Sequence, residues 1–247
     1  MTPEVALYVI AGAAAGGLIN GLAGFGTALF ALGFFLNVMP PVQAVAVVVV
    51  LSALTGLQGV WIVRHAIGAN KRRLARFLLP ALVGIPLGVL VLSVIEARSL
   101  KLVIAVFLLL YGGYFSLRTR LPRFEKPTPV WDMLVGFLGG VLGGAASLSG
   151  ALPMMWCALR PWPRHETRAV LQPFNVVVLA LTALMLALKG TYTRDTLTYL
   201  ALAVPVAILS AQAGIAVFKR LPDAAFRRLL IAMTFVSGAA LMLREFL

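Results

Sequence analysis

Two stretches of small and polar residues interrupt long apolar runs, and they hold most of the groups that could bind a solute. The candidates in the first stretch are Asn20, Gly24, Gly26 and Thr27, and those in the second are Ser147, Ser149 and Gly150. Hydroxyl and amide groups donate hydrogen bonds, and glycine allows a ligand to approach the backbone closely. A helix that restarts after each stretch adds unpaired N–H groups and about half a positive charge. The two stretches therefore predict an anion-binding site near mid-membrane.

Four other polar residues within or beside apolar runs extend this predicted site. Arg168 and Gln172 begin one run, Asn175 lies one turn deeper, and Gln58 lies within an earlier run. Arginine presents a planar, permanently charged fork to oxyanions. In the other interpretation, Arg168 is a boundary cation that reaches the lipid headgroups and Gln58 bonds to a neighbouring helix.

Small residues also permit close helix packing, which is the alternative explanation for the glycines. We favour packing for isolated glycines such as Gly12 and Gly136. We favour binding for the two interruptions, because a packing motif does not need their spacing.

The acidic residues argue against catalysis within the membrane. All eight Asp and Glu residues lie at the ends of apolar runs or between them. The sequence has no paired carboxylates and no His/Cys cluster, and the single Cys157 cannot form an internal disulfide. We therefore expect no enzyme activity and no cofactor or metal. Carboxylate relays usually mark proton-coupled transport, but coupling to protons or sodium stays open.

The composition assigns the chain to the membrane. Of 247 residues, 61% are apolar and 12% are charged, against about 45–50% and about 25% in soluble domains. The net charge of +13 could indicate a nucleic-acid partner, but the basic residues cap apolar runs, as in membrane proteins. We predict an all-α, multi-pass membrane protein that contacts lipid and no nucleic acid. The apolar runs cover 4–39, 42–63, 77–95, 100–117, 133–159, 169–188, 197–218 and 227–243.

The two halves of the chain repeat one another. Gly12, Gly16 and Gly26 recur as Gly136, Gly140 and Gly150 at an offset of 124. We predict a first transmembrane repeat over 1–125 and a second over 126–247 within one integrated membrane domain. The long runs 4–39 and 133–159 each carry an interruption at the corresponding place, which is the best sequence indicator of a transporter binding site.

Loop charge indicates how the repeats are oriented. If each interrupted run returns to its own side, the loops 64–76, 118–126, 160–168 and 219–228 share a side with 16 Lys and Arg, against 5 on the other. If each run crosses once, the split is nearly even, so the positive-inside rule favours returning runs. We therefore predict two inverted repeats, each with a broken or re-entrant hairpin plus three transmembrane helices, and both termini outside.

The order of these motifs resembles the TauE/SafE-type family of sulfite and organosulfonate exporters. Gly16–Leu29 followed by Pro40–Ala46 is similar to the family's opening, and Leu79–Gly88 is similar to its third helix. Gly139–Pro153 and Arg164–Leu171 are similar to its second repeat. The resemblance covers nearly the whole chain and extends to 4-toluene sulfonate uptake permease-like transporters.

This resemblance implies alternating-access export of a small sulfur-containing anion, such as sulfite, sulfoacetate or a related organosulfonate, across a cell inner membrane. It also places an arginine at position 168. The sequence departs from the family pattern at Gly24–Phe30 and around Ser147–Gly150. Both departures fall in the predicted pocket, so they bear on the substrate more than on the fold.

Three alternatives stay open. One is a transporter of another small anion on the same fold, and the second is a carrier of cations or neutral solutes. The third is an intramembrane enzyme or assembly factor, which would need a nucleophile or carboxylate at membrane depth. A homodimer is also open.

Overall fold

The computed structural model describes residues 2–117, 124–162 and 164–220, together with 235, 239, 242 and 243. The described residues are almost entirely helical, and no strand occurs among them. The helices are α1 (Pro3–Ala23), α2 (Thr27–Phe35), α3 (Pro41–Ala69), α4 (Lys71–Val94), α5 (Ala97–Leu117), α6 (Pro129–Ala146), α7 (Ala151–Ala158), α8 (Arg164–Leu188) and α9 (Arg194–Arg220).

Six of these helices are long and apolar enough to cross a membrane, namely α1, α3, α4, α6, α8 and α9. The predicted all-α, multi-pass membrane protein is therefore confirmed. The predicted run 100–117 forms α5, which is not among the six, and the run 227–243 lies almost wholly outside the described residues.

Both predicted interruptions are present as breaks between a long helix and a short one. The first break, Gly24–Gly26, separates α1 from α2, and the second break, Ser147–Gly150, separates α6 from α7. The short helices have nine and eight residues, whereas a spanning helix needs about 20. The preceding α1 and α6 have 21 and 18 residues, so each interrupted run consists of one helix of about spanning length followed by a short one.

Each short helix folds back along the helix that precedes it. A Cβ at Gly16 would lie 2.9 Å from Thr27 Cγ2, whereas one at Gly12 would lie 2.5 Å from Phe35 Cε1, so α2 runs antiparallel to α1. A Cβ at Gly139 would lie 3.1 Å from Pro153 Cγ. The breaks therefore close two helical hairpins.

Close helix packing explains several glycines. Gly12 packs against α2 and Gly136 against the backbone of Phe77 in α4, which confirms the packing interpretation for both. Their proposed equivalence is wrong, however, because they face different helices.

Before the breaks, residues that make similar helix contacts in the two halves are 123 positions apart in the sequence. Gly17 and Gly21 face Ala207 and Ala211 of α9 in the way that Gly140 and Gly144 face α4. After the breaks the offset is 124, because the second break is one residue longer. Gly26 and Gly150 each directly precede a short helix.

The helix directions follow from contacts at two levels. Helix α1 runs parallel to α9, and α4 runs parallel to α6, because glycine contacts advance together along each pair. Helix α3 runs antiparallel to α8, since Gly56 faces Val176 while Gly59 faces Gln172.

One end of the bundle, here called the basic end, gathers most of the described cations. The Arg73 guanidinium of α4 contacts Glu166 of α8 at 2.5 Å, and Arg160 contacts Asp132 of α6 at 3.3 Å. The first pair connects the starts of α4 and α8, and the second connects the start of α6 to the residues that follow α7. At the opposite end, the Gln43 amide donates to Thr196 Oγ1 at 3.0 Å and joins the starts of α3 and α9.

The expectation that 64–76 forms a cationic loop is wrong, because all but one of these residues are helical. Helix α3 continues to Ala69 and α4 begins at Lys71, so only Asn70 separates them. Arginine and lysine are good helix formers, so the polar stretch extends both helices beyond their apolar parts. The same holds for 160–168, where α8 begins at Arg164.

Candidate functional site

The first break is built on glycine backbone geometry. Gly24 and Gly26 have φ values of +82° and +97°, a left-handed conformation that glycine adopts without steric cost. The Gly24 N–H donates to Asn20 O at 2.7 Å and ends α1. Gly26 precedes α2 and supplies no side chain to cap it, so the first N–H groups of α2 keep their positive potential.

The second break repeats this design with a serine. Ser147 ends α6 with φ +58° and is the only described non-glycine residue with positive φ. The Ser147 and Leu148 N–H groups donate to Gly143 O and Leu142 O at 2.9 and 3.1 Å, which satisfies carbonyls at the helix end. No side chain caps α7 after Gly150.

The two breaks meet each other. A Cβ added at Gly150 would lie 3.0 Å from Phe25 Cβ. Gly26, Ser147 and Gly150 line one small cavity together with Asn175, and its volume admits about one water molecule. Two uncapped helix N-termini, one in each half of the chain, therefore lie beside the same cavity.

Helix α8 places polar side chains against both breaks. Gln172 contacts the first break, because a Cβ at Gly24 would overlap Gln172 Oε1 and lie 3.4 Å from Arg168 Nε. Arg168 Nε donates to Gln172 Oε1 at 3.4 Å. Asn175 Oδ1 accepts a hydrogen bond from the Ser149 hydroxyl in the second break. Arg168, Gln172 and Asn175 therefore belong to the assembly that the sequence predicts.

Asn20 connects the first break to α3. Its Nδ2 donates to Thr55 Oγ1 at 2.5 Å and to Ser52 O at 3.4 Å. These bonds use the amide donors, so Asn20 positions the break, and its Oδ1 has no protein partner. The sequence reasoning missed Ser52 and Thr55, although their spacing of three within an apolar helix places them on one face.

Gln58 is the predicted residue that the described contacts do not join to either break. The inward face of α3 carries Thr55, Gly56 and Gly59, and Gln58 is turned about 100° from Gly59. Gln172 occupies that space instead, with its Nε2 donating to Gly56 O at 3.2 Å. Gly56 and Gly59 on α3 are the sequence signal that could have indicated a side chain from another helix at this position.

Unpaired polar atoms concentrate at the breaks. Among the described side chains, four buried polar atoms have no hydrogen-bond partner, and three of them are Asn20 Oδ1, Thr27 Oγ1 and Ser147 Oγ. Burying such an atom costs about 1–3 kcal/mol. Two hydroxyls and two uncapped helix N-termini therefore give this region donors without a competing acidic group among its described residues.

The sequence was compared with protein-family models, curated proteins and solved structures. A family model described as sulfite exporter TauE/SafE matches residues 8–241. No curated protein and no solved structure matches the chain significantly.

Proposed function

The chain belongs to the TauE/SafE sulfite exporter family, and from this premise we propose that it exports a small sulfur-containing anion through the two breaks. The proposed substrates are sulfite, sulfoacetate or a related organosulfonate. The proposed location is a cell inner membrane, where an exporter removes the anion from the cytoplasm. Members of this family are membrane transporters of anions, and the six apolar helices agree with that role.

One observation carries the proposed site. The uncapped starts of α2 and α7 face one cavity, which the unpaired Ser147 hydroxyl also lines, and Thr27 at the start of α2 carries a second unpaired hydroxyl. A sulfite or sulfonate group needs several convergent donors and positive potential, and this arrangement supplies both without a fully buried cation. Arg168, partly buried beside Gly24, adds a charged donor at one side.

We propose that 1–125 and 126–247 are inverted repeats. Two parallel helix pairs support this arrangement, α1 with α9 and α4 with α6. If α1 corresponds to α6 and α4 corresponds to α9, exchanging the two halves converts one pair into the other. Helices α3 and α8 correspond to each other and run antiparallel, as an axis in the membrane plane requires. The two break hairpins then occupy equivalent positions on either side of that axis.

We propose alternating access because the cavity at the breaks is small. A space for about one water is too small for a sulfite anion with its four heavy atoms, so substrate entry requires the hairpins to move. Movement of one hairpin and its neighbours against the other would open the cavity to one side at a time.

The membrane potential can drive export without a coupling ion. An inside-negative potential favours expulsion of a monoanion by roughly 2.3 kcal/mol per 100 mV, about fiftyfold in concentration. A proton or sodium requirement would instead appear as transport that needs a gradient of that ion.

The first prediction tests the site with two glycines of similar backbone conformation. Gly24 and Gly190 have φ values of +82° and +73°, but a Cβ overlaps Gln172 at Gly24 and meets nothing within 4 Å at Gly190. We expect Gly24→Ala to abolish efflux of labelled sulfite and sulfoacetate from proteoliposomes, and Gly190→Ala to retain it. Thermal unfolding of both variants controls for backbone strain.

Two results would overturn this proposal. Equal efflux by folded Gly24→Ala and Gly190→Ala would exclude the first break from the pathway. Efflux of cationic or neutral solutes, with no response to any sulfur or carboxylate anion, would replace the anion exporter with the other carrier class.

A further inference from the structure

A second and much larger cavity lies at the basic end, away from the breaks. Its volume is about 810 Å3, within the range of about 300–1,000 Å3 that small-molecule sites occupy. Its wall is formed by the end of α3, the start of α4, the segment 125–128, the start of α6 and the residues that follow α7.

The charge of this cavity is strongly positive. Two acidic residues, Glu125 and Asp132, line it. The basic residues that line it are Lys71, Arg72, Arg73, Arg76, Lys126 and Arg160. Six cations against two carboxylates leave an excess that an anion would neutralise.

Internal ion pairs account for only part of this charge. Asp132 is shared by Arg160 at 3.3 Å and Arg76 at 3.9 Å. Arg73 pairs with Glu166, which is outside the wall. Lys71 and Arg72 are exposed on the first turn of α4, where their ammonium and guanidinium groups can turn to a ligand.

Two helix N-termini at this cavity contribute positive potential, against the single C-terminus of α3. The wall includes the first turn of α4, which has 24 residues, and the first turn of α6, which has 18. These two helices run parallel, so their positive dipole ends lie at the same end of the bundle. Trp162 supplies an aromatic wall, with the Arg73 guanidinium 4.7 Å from its ring centre.

We propose that this cavity is a second anion site, which binds a molecule carrying a phosphate, sulfate or sulfonate group. Arginine forks and helix N–H groups match the tetrahedral oxygens of such a group. The volume leaves room for an organic part beside Trp162. The ligand is either a free anion or the headgroup of an anionic phospholipid, because both present the same chemistry to these cations.

This site goes beyond the transport proposal and does not depend on it. Its ligand-facing residues come from the helix ends, whereas the proposed transport site is formed by the breaks and the inner part of α8. A protein that moves a different solute through the breaks would still have this cavity.

The experiment measures binding of inorganic sulfate and phosphate to the full-length protein in detergent. Thermal unfolding is followed at millimolar anion and at constant ionic strength, in the wild type and in two charge-matched double variants. Lys71→Gln with Arg72→Gln removes two cations from the wall, and Lys189→Gln with Arg194→Gln removes two exposed cations at the opposite end. We expect the first pair to weaken the apparent affinity about tenfold and the second pair to leave it unchanged.

A second arm distinguishes the source of the ligand. Nanodiscs with phosphatidylglycerol are compared with nanodiscs of phosphatidylcholine alone, and native mass spectrometry counts the retained anionic lipid. Retention by the wild type that is lost in Lys71→Gln with Arg72→Gln, and that free phosphate displaces, identifies a lipid headgroup. Sulfate or phosphate binding without such retention identifies a free anion.

The proposal is overturned if neither arm shows binding, or if all variants respond equally, as a general salt effect would produce. The variant Gly24→Ala should bind sulfate at this cavity like the wild type. If Gly24→Ala loses transport but keeps sulfate binding at this cavity, the two sites act independently. A failure of the transport proposal can then be distinguished from a failure of this one.

Discussion

Ser147 holds a backbone conformation that glycine would hold at lower cost. Its φ is +58°, and the left-handed region costs a residue with a Cβ about 1–2 kcal/mol. The equivalent position in the first half is Gly24, which has no such penalty. The Ser147 hydroxyl is buried without a partner beside the cavity at the breaks. Two local costs at one residue indicate a function for that hydroxyl.

Replacement of Ser147 by glycine should separate stability from transport. We expect Ser147→Gly to raise the free energy of unfolding by about 1 kcal/mol, because it removes strain and a buried unpaired hydroxyl. The same variant should bind the transported anion about tenfold more weakly, because it loses a donor to a charged group. Thermal unfolding and the concentration dependence of efflux measure the two effects.

Thr27→Val and Thr182→Val form a matched pair for the same argument. Thr27 Oγ1 has no partner, whereas Thr182 Oγ1 donates to Val178 O at 2.9 Å on α8. Weakened efflux in Thr27→Val alone supports the hydroxyl's role in the site. Unchanged efflux in both Ser147→Gly and Thr27→Val would show that these hydroxyls do not contact the anion.

The residues of the site were predictable from their types but not from their contacts. Glycine, serine and threonine clusters at Gly24–Thr27 and Ser147–Gly150 were sufficient to locate both breaks. Gln58 and Gln172 have the same side chain, and only the packing of α3 against α8 distinguishes them, because Gly56 and Gly59 admit Gln172. Contacts of this kind join residues that are far apart in the chain, so no periodic sequence pattern predicts them.

At the level of elements, close helix contacts hold the two halves together. Gly21 on α1 and Gly144 on α6 each lie against a backbone carbonyl of a parallel helix, at Ala211 and Ile85 respectively. A methyl group at either position would force the helices apart, and parallel helices at this separation depend on small residues.

Alanine at these two positions should destabilise the protein to a similar degree. We expect Gly21→Ala and Gly144→Ala each to lower the free energy of unfolding by about 1–3 kcal/mol through overpacking. Gly113→Ala in α5 is the control, because a Cβ there meets no atom of the described residues within 4 Å, and it should stabilise by up to about 1 kcal/mol. Thermal unfolding checks all three, and a large difference between the first two would argue against equivalent interfaces.

The ion pair between Arg73 and Glu166 links α4 to α8 at the basic end. Both side chains are more than 30% exposed, so the pair contributes at most about 1 kcal/mol to stability. If the two halves move apart there, this link must break in each cycle. We therefore expect Glu166→Gln to unfold at nearly the wild-type temperature and to transport faster.

Asp195 provides the control for that experiment. It is also an acidic residue in the first turn of a spanning helix, but it is exposed at the opposite end. Asp195→Asn should leave the efflux rate unchanged. Equal rates for Glu166→Gln and the wild type would show that the ion pair does not limit transport.

The elements were largely predictable because their signals are local. Long apolar runs and interrupted glycine stretches locate α1 to α4 and α6 to α9 within a few residues. The error at 64–76 arose because charged residues were assigned to a loop, although Arg and Lys extend helices readily. The offset error arose because Gly12 and Gly16 contact their own hairpin, whereas Gly136 and Gly140 contact α4.

At the scale of the whole molecule, the loops in which the sequence concentrates Lys and Arg lie at one end of the helix bundle. The described parts of the loops that were expected to share 16 cations lie together at the basic end, where Arg73–Glu166 joins α4 to α8 and Arg160–Asp132 joins α6 to the residues after α7. From the positive-inside rule we expect such an end to face the cytoplasm.

Cysteine labelling tests this orientation with little change to the protein. The native Cys157 is buried, so it should not react with a membrane-impermeant maleimide. We expect intact cells to label Lys189→Cys and not Ala69→Cys, and permeabilised cells to label both. Labelling of both positions, or only of Ala69→Cys, in intact cells would contradict the orientation.

The single-water volume between the breaks has a consequence for the cell's energy supply. Proton conduction along hydrogen-bonded water requires an unbroken file of molecules, and a space of this size interrupts that file between Phe25 and Gly150. We therefore expect the resting protein to pass no protons along water at the breaks, whose residues are largely buried within the protein. The proton gradient on which other transporters depend would then not be dissipated there.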